Sequence, residues 1–530
     1  MTRKIEIFDS TLRDGAQAEG ISFSVEDKIK IAKSLDSLGI SYLEAGNPGS
    51  NPKDLEFFKR MKNLKLKNTK LTAFGSTRRP GITVQEDTNI QSLLEAETPV
   101  VAIFGKSWDF HVTEIIKTTL DENLKMLKET IDFLKSKGKE VIFDAEHFYD
   151  GYKSNPEYAM ATLRAAAEGG ADWLVLCETN GGAFPDEIYN ITKEVVDTFD
   201  VKVGVHCHND TGMAVANSIM AVEAGATQIQ GTYLGFGERC GNANLSTVIG
   251  NLQVKRGIEC IDSNQVINLT PVARYIAEIT NIAINEREPY IGNTAFAHKG
   301  GMHIDGVSKS SDSFEHINPE TVGNKRRFLM SEVSGKSTIL NKIQRINPNI
   351  TKDSPETQAI IDRLKELEHM GYQFEGAEST FELIIRKQLG KYRPFFELIH
   401  YKIMGEQPSV DCDTCSSAFV KITVDGQEEL TVAEGNGPVH ALDKALRKAL
   451  EVFYPSIRDV HLTDYKVRVL DTKTATAAKV RVLIESSDGH NVWSTVGVSS
   501  DIIEASWIAL VDSMEYKLIK DIEEKVKAYI

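Results

Sequence analysis

Between residue 5 and about residue 257 the chain alternates short apolar runs with longer stretches in which apolar side chains recur every three or four positions. The short runs, 5–10, 41–46, 70–75, 100–105, 140–145, 172–178, 201–208 and 228–234, have the length and bounding residues of strands. The longer stretches, among them 24–38, 120–135, 156–168, 185–199 and 213–224, read as amphipathic helices. Several open on Ser, Asp or Pro and close on Gly, as helices do. Eight strands alternating with eight helices over 1–257 predict an α/β fold, a (β/α)8 TIM barrel. An open doubly wound sheet fits less well, because it has fewer strands and a glycine fingerprint after the first. Barrel chemistry sits at the C-terminal ends of the strands.

After residue 258 the alternation stops. Residues 258–405 read as small, mostly helical linker subdomains, with helices over 265–281 and 357–370. Residues 406–530 read as a compact C-terminal α+β domain with an internal twofold repeat. The repeat is set at an offset of 60, pairing Ala418-Phe419-Val420-Lys421-Ile422 with Ala478-Lys479-Val480-Arg481-Val482, and Gly437 with Gly497 ahead of a helix in each copy.

Composition narrows the class. No stretch reaches the roughly 18 uninterrupted apolar residues of a membrane span, so no membrane association is expected. The strand pattern begins at residue 5, which leaves no room for a cleaved leader, and a cytoplasmic location is expected. A net charge of -15 argues against nucleic-acid binding, which depends on clustered Lys and Arg. Six scattered cysteines read as reduced thiols. Cys412 and Cys415 form a Cys-x-x-Cys pair without the two further ligands a structural zinc needs.

Placed on the barrel, the polar residues collect at strand ends: Arg13 and Asp14 after the first strand, Glu44 on the second, Asp144 and Glu146 on the fifth, Glu178 and Thr179 on the sixth, and His206 and His208 on the seventh. So many charges on one rim make a poor structural core, because buried charges need partners. His206 and His208 are two apart on a strand and leave from one face. They are either hydrogen-bonded core histidines or metal ligands. With Asp14 they compose a nitrogen-and-oxygen set suited to a catalytic divalent ion, Mn, Mg, Co or Zn, with positions left for substrate and water. Arg13 would stabilise developing oxyanion charge, or bridge Asp14 or Glu44.

Asp9-Ser10-Thr11-Leu12-Arg13-Asp14-Gly15, His206-Cys207-His208-Asn209-Asp210 and Gly235-Phe236-Gly237-Glu238-Arg239-Cys240-Gly241-Asn242 together resemble the signatures of the 2-isopropylmalate, homocitrate and citramalate synthase family. Gly301-Met302-His303-Ile304-Asp305-Gly306 and the repeat-bearing C-terminal domain extend the resemblance over nearly the whole chain. The family joins metal-dependent TIM barrels that make or break carbon bonds to an acyl-CoA. The segments 17–20 and 46–54 look most like its citramalate-forming branch. That resemblance implies condensation of pyruvate with acetyl-CoA and water to (R)-citramalate and CoA, the first step of a threonine-independent route to isoleucine. A larger 2-oxo acid is the alternative, as in 2-isopropylmalate or homocitrate synthases.

The resemblance also implies roles. Asp14, His206 and His208 would bind the metal, with Asn242 close to it. Arg13 and Thr179 would hold the oxo acid, and Glu146 would orient substrate or water. His303 would move the acetyl methyl proton, often in a partner subunit's barrel, which implies a homodimer, and Asp305 would orient His303 through a ring hydrogen bond. The C-terminal domain resembles the family's regulatory module, so isoleucine is the expected effector. Thr179 could instead cap the following helix, Glu146 could pair with His147, and His303 could be solvent-exposed and idle. Glu178 stands where other members carry Asp. Cys240 has no histidine beside it in sequence and reads as packing rather than as a nucleophile. Ser334-Gly335-Lys336-Ser337 lacks the glycine a phosphate loop needs, Met330 standing there, and Gly435-Asn436-Gly437 lacks the third glycine of a dinucleotide site. A non-catalytic amino-acid sensor is the rival from outside the enzymes, and the intact ligand set argues against it.

Overall fold

The computed structural model describes residues 4–329, 336–374, 377–405, 416–470 and 478–529. Cys412, Cys415, Met330, Ser334 and Gly335 lie outside them. The chain divides into two compact units, one of residues 1–296 and 315–326, the other of residues 297–314 and 327–530.

In the first unit, eight strands close a barrel in chain order: β1 (Glu6–Asp9), β2 (Tyr42–Glu44), β3 (Lys70–Ser76), β4 (Val100–Lys106), β5 (Glu140–Glu146), β6 (Trp173–Glu178), β7 (Lys202–Cys207) and β8 (Gln228–Gly231). All pair in parallel, and β8 returns to β1 through Ile7 opposite Ile229. The helices form where the periodicity placed them. That over Val25–Leu38 begins with a reciprocal Ser24–Asp27 capping box and ends at Gly39, with φ 94°. Those over Pro156–Glu168 and Pro185–Thr198 start on proline.

The period-two alternation of the strands sorts the barrel interior from end to end. At the N-terminal end, Phe8, Tyr42, Val100, Ala102, Ile142, Trp173 and Val175 close the barrel with an apolar plug. Farther along the same strands, inward positions turn polar: Ile142 gives way to Asp144 and Glu146, Tyr42 to Glu44, and Gly204 to His206 and His208. The opposite faces, with Leu43, Val101, Ile103, Phe143, Leu174, Leu176 and Val205, pack against the surrounding helices. The barrel is thus a solid support with one reactive mouth.

In the second unit, β9 (Ala297–His298) pairs with β10 (Arg327–Phe328). Helices Lys336–Ile346, Pro355–Met370 and Glu378–Gln388 follow, packed around Ile343, Ile360, Phe374 and Phe381. Two antiparallel three-stranded sheets come next. One contains β11 (Glu397–Gly405), β12 (Ser416–Val424) and β13 (Gln427–Gly435), the other β14 (His461–Val469), β15 (Val480–Ser487) and β16 (Val492–Ser499). Each is followed by a helix, Pro438–Glu451 and Ile502–Tyr529.

The repeat is real, but its offset is sixty-four residues, not 60. Thr431 donates to the Ala445 carbonyl and Thr495 to the Ala509 carbonyl, both at 2.7 Å. The register shifts of the two sheets, at Leu398/His400 and Leu462/Asp464, obey the same spacing. A slip of four is an even number, so it preserves the inward and outward alternation, and the hydrogen bonds and strand register expose it. β11 also lies in a stretch read from sequence as helical. Most of its residues are exposed, so no buried alternation marked it as a strand. Among the described residues, no helix is long and apolar enough to cross a membrane.

Candidate active site

Asp14, just past β1, and His206 and His208, at the end of β7, are all buried, and one ligand atom from each lies within 4.8 Å of the others. This is the one such cluster of three among the described residues. His206 Nε2 stands 3.5 Å from Asp14 Oδ2, and the two imidazole rings are 5.2 Å apart. They floor a cavity of about 240 Å³, whose walls include Arg13, Phe74, Phe104, Asp144, Glu146 and Thr179.

The electrostatics suit a cation. Burial alone would raise the Asp14 carboxyl, but the Arg13 charge and the two imidazoles bring it below the usual carboxylate range. Burial and the neighbouring His206 push His208 down to about 4, so near neutral pH it offers lone pairs rather than a charge. Asp144 is raised to about 8 by burial and by the nearby Glu44.

Whether a metal fits can be judged from the polar atoms left over. Asn242 donates through its side-chain nitrogen to Asp14 Oδ1 at 3.2 Å and to the Phe236 carbonyl at 3.0 Å, while its Oδ1 is buried without a partner. Nδ1 of His208 is also buried and unpartnered. Backbone bridging between His208 and Asn242 holds these residues side by side. Buried polar atoms are rarely left unsatisfied, and those beside a buried Asp and His pair match a divalent ion bound by nitrogen and oxygen.

Arg13 takes both places open to it. Nε donates to Glu44 Oε2 at 2.7 Å, one terminal nitrogen donates to Asp14 Oδ2 at 3.2 Å, and the guanidinium lies 3.7 Å over the Phe74 ring. Ser10 Oγ closes on the same Glu44 oxygen. Clamped on three sides, Arg13 still lines the cavity, where it offers fixed positive charge.

Thr179 does not cap the next helix. That helix starts at Pro185 after Phe184, and Thr179 Oγ1 instead accepts the His147 N–H at 3.0 Å. Glu146 pairs with Lys106, opposite it across β4 and β5, while His147, just past the end of β5, stands beside Asp150. Glu178 turns away to brace its own loop, its Oε1 accepting N–H groups from Gly182 at 2.9 Å and Ala183 at 3.3 Å. Cys240 is an exposed free thiol.

His303 and Asp305 stand on the helix Gly301–Lys309 of the second unit, beside the 82% exposed Met302. The His303 ring stacks on Phe314, with centroids 4.2 Å apart. The expected hydrogen bond from His303 to Asp305 is not made among the described residues. Asp305 is ion-paired at 2.6 Å with Lys309 four positions on, as helix geometry favours, whereas residues two apart face different sides.

Several site residues escaped the sequence reading: Lys106, the Phe74 and Phe104 wall stacked at 5.2 Å, and the fully buried Gln230. Gln230 alternates with Ile229 in a run of period two, and that was the signal available.

Comparisons with known proteins bear on the whole chain. The HMGL-like family matches residues 4–275, the Homocitrate synthase post-HMGL domain-like family residues 290–371, and the LeuA allosteric (dimerisation) domain residues 375–518. An (R)-citramalate synthase of Aquifex aeolicus is 54% identical, over 99% of this chain and 100% of its own. Another, of Geobacter sulfurreducens, is 50% identical over 98% of each. A probable 2-isopropylmalate synthase of Methanopyrus kandleri is 32% identical over 96% of this chain and 98% of its own.

Proposed function

The chain belongs to the HMGL-like family and within it to the (R)-citramalate synthases, and on that premise we propose how its residues divide the work of joining pyruvate to the acetyl group of acetyl-CoA. It is an acyltransferase, and the net reaction consumes pyruvate, acetyl-CoA and water and yields (R)-citramalate and CoA. One carbon–carbon bond forms, between the acetyl methyl carbon and the keto carbon of pyruvate, and the thioester is hydrolysed.

The observation that carries the assignment of roles is the convergence of Asp14, His206 and His208 on one cavity that Arg13 also lines, with Asn242 hydrogen-bonded to Asp14 beside them. A divalent cation held by these groups supplies Lewis-acid polarisation of the keto carbonyl. The donors suit Mn, Mg, Co or Zn. Arg13, fixed by Glu44 and by the Phe74 face, faces the oxygen that gains charge as the carbon bond forms. Thr179 holds the oxo acid from the opposite wall, and Glu146, steadied by Lys106, orients substrate or water. His303 takes the proton from the acetyl methyl group. Asp305 pairs with Lys309 rather than with the His303 ring. Phe74 and Phe104 form an aromatic wall of the cavity, and the similarity to (R)-citramalate synthases supports pyruvate over bulkier oxo acids.

The match to a LeuA allosteric (dimerisation) domain supports a homodimer with a regulatory C-terminal unit. Isoleucine, the end product of the route this reaction opens, is its effector, and unchanged turnover at millimolar isoleucine removes that part. The activity is tested by following CoA thiol release with a panel of 2-oxo acids. Pyruvate is strongly preferred on this reading, and a comparable rate with 2-oxoisovalerate overturns it.

A further inference from the structure

Gln230 is a large amide inside the barrel, fully buried, on a strand whose other inward residue, Gln228, is also fully buried. Burying such side chains is unfavourable unless their hydrogen bonds are made, so two on one short strand call for a reason. Their fates differ. Gln228 leaves its side-chain nitrogen without a partner. Gln230 is engaged at both ends: its Oε1 lies 3.0 Å from His206 Nδ1, and its nitrogen donates to Asp144 Oδ1 at 2.9 Å.

β7 and β8 run in register with His206 opposite Gln230, so the amide meets the ring edge directly. The far edge of the ring, Nε2, is the one beside Asp14. An imidazole that donates from Nδ1 keeps its lone pair on Nε2, and a metal ligand needs that tautomer.

We propose that Gln230, held in orientation by Asp144, is a positioning residue that fixes His206 in its Nδ1-protonated tautomer and so prepares Nε2 for the divalent ion. The inference rests on the reading of His206 as a metal ligand. The amide nitrogen lies on Asp144 Oδ1 and its oxygen is the atom that faces His206. The reversed arrangement, with Asp144 giving a proton to the amide oxygen and the amide nitrogen facing Nδ1, would place the ring proton on Nε2 and leave no lone pair toward Asp14. His208 has no comparable support, since its Nδ1 is unpartnered. Of the two histidines, His206 alone is held through Nδ1 by the barrel.

The test uses the full-length protein with 15N-labelled histidine and metal removed, and compares wild type with Gln230→Met and Gln230→Glu. Long-range nitrogen–proton spectra read the His206 tautomer, and competition with a fluorescent chelator reads Mn affinity. Wild type is expected to carry its His206 proton on Nδ1. Gln230→Met is expected to lose that preference and bind Mn about 10- to 100-fold more weakly. Gln230→Glu, which keeps an acceptor facing Nδ1, is expected to restore both. An Nε2-protonated His206 in wild type overturns the proposal even if both variants fail to fold, and so does a Gln230→Met protein with the wild-type tautomer and affinity within twofold. If wild type binds no Mn at all, the metal reading of His206 has failed, while the tautomer spectrum still decides the role of Gln230.

Discussion

Arg239 holds Asp210 through two hydrogen bonds, from Nε to Oδ1 at 2.8 Å and from a terminal nitrogen to Oδ2 at 3.0 Å, and the same terminal nitrogen reaches the Thr179 carbonyl at 2.7 Å. One side chain thus ties the loop after β8 to those after β6 and β7. Gly181 makes the approach possible: its φ is +68°, and a β-carbon there would fall on the Asp210 carboxylate. The tied loop also carries Asn242, so its placement governs one edge of the proposed cation site.

The first prediction follows from that tie. An ion pair this exposed contributes about 0–1 kcal/mol to stability, so Asp210→Ala should leave the melting temperature nearly unchanged. Its effect should fall on turnover, lowering kcat/KM roughly 10- to 100-fold as Arg239 and Asn242 lose their placement. Thiol-release kinetics beside a thermal melt check this, and a variant with wild-type kcat/KM contradicts it.

His303→Ala should separate binding from chemistry. With the methyl proton left without its acceptor, turnover at saturation is expected to fall about 10²- to 10⁴-fold. Pyruvate binding, measured calorimetrically, should stay near normal. Weakened binding with catalysis intact at saturation would make His303 a docking residue instead.

Lys28 and Asp54 form a buried ion pair in the barrel unit, with a nitrogen–oxygen distance of 2.5 Å. Lys28 also donates to the Ala45 carbonyl at 2.8 Å, and Asp54 accepts the Asn47 N–H at 2.9 Å. The pair pins the loop after β2. Removing one partner strands the other charge, so Lys28→Met should lose about 3–5 kcal/mol in a urea titration. A loss below about 1 kcal/mol would show that the site takes in water.

Glu515 gives the C-terminal unit a pH dependence. It is buried, its Oε1 accepts the Phe395 N–H at 3.0 Å and its Oε2 has no partner. Burial pushes its carboxyl up to about 7, against the bond from Phe395, the Tyr392 hydroxyl and the charge of Lys387, while Asp512 adds to the rise. The folded state therefore binds this proton more tightly than the unfolded chain, in which the carboxyl titrates near 4.5. The stability it contributes is complete below that value and is lost as pH rises toward 7. Asp512, also raised by burial, acts in the same direction. Glu515→Gln should match wild type in melting temperature at pH 4 and exceed it at pH 8. Parallel melting curves for the two proteins across that range would contradict the assignment.

Much of this was legible in the sequence because period carries so much of it. The eight barrel strands and their helices follow from runs of two- and 3.6-residue periodicity, and the polar strand ends followed once the barrel was recognised. His206 and His208 pair on sequence grounds because strand alternation puts them on one face, and Asp14 joins them because it follows a barrel strand at the same C-terminal rim. What stayed hidden depends on distance rather than period. The sixty-four-residue spacing of Thr431 and Thr495 was invisible because an even slip leaves the pattern intact. Lys106, the partner of Glu146, comes from the neighbouring strand, forty positions away, and no local pattern joins them. The resemblance implied that Asp305 orients His303, yet a helix turns residues two apart to different sides, and Asp305 pairs with Lys309. Gln230 was passed over because a glutamine on a strand carries no chemical signature until its partners are known.

A divalent ion held by Asp14, His206 and His208 is proposed to drive the condensation, and CoA release from acetyl-CoA and pyruvate after chelation and re-addition of Mn or Zn, in wild type and in His206→Ala, decides the matter. Wild-type turnover should disappear on chelation and return with metal, while His206→Ala stays inactive at every metal concentration. An active His206→Ala enzyme indifferent to chelation would rule the ion out.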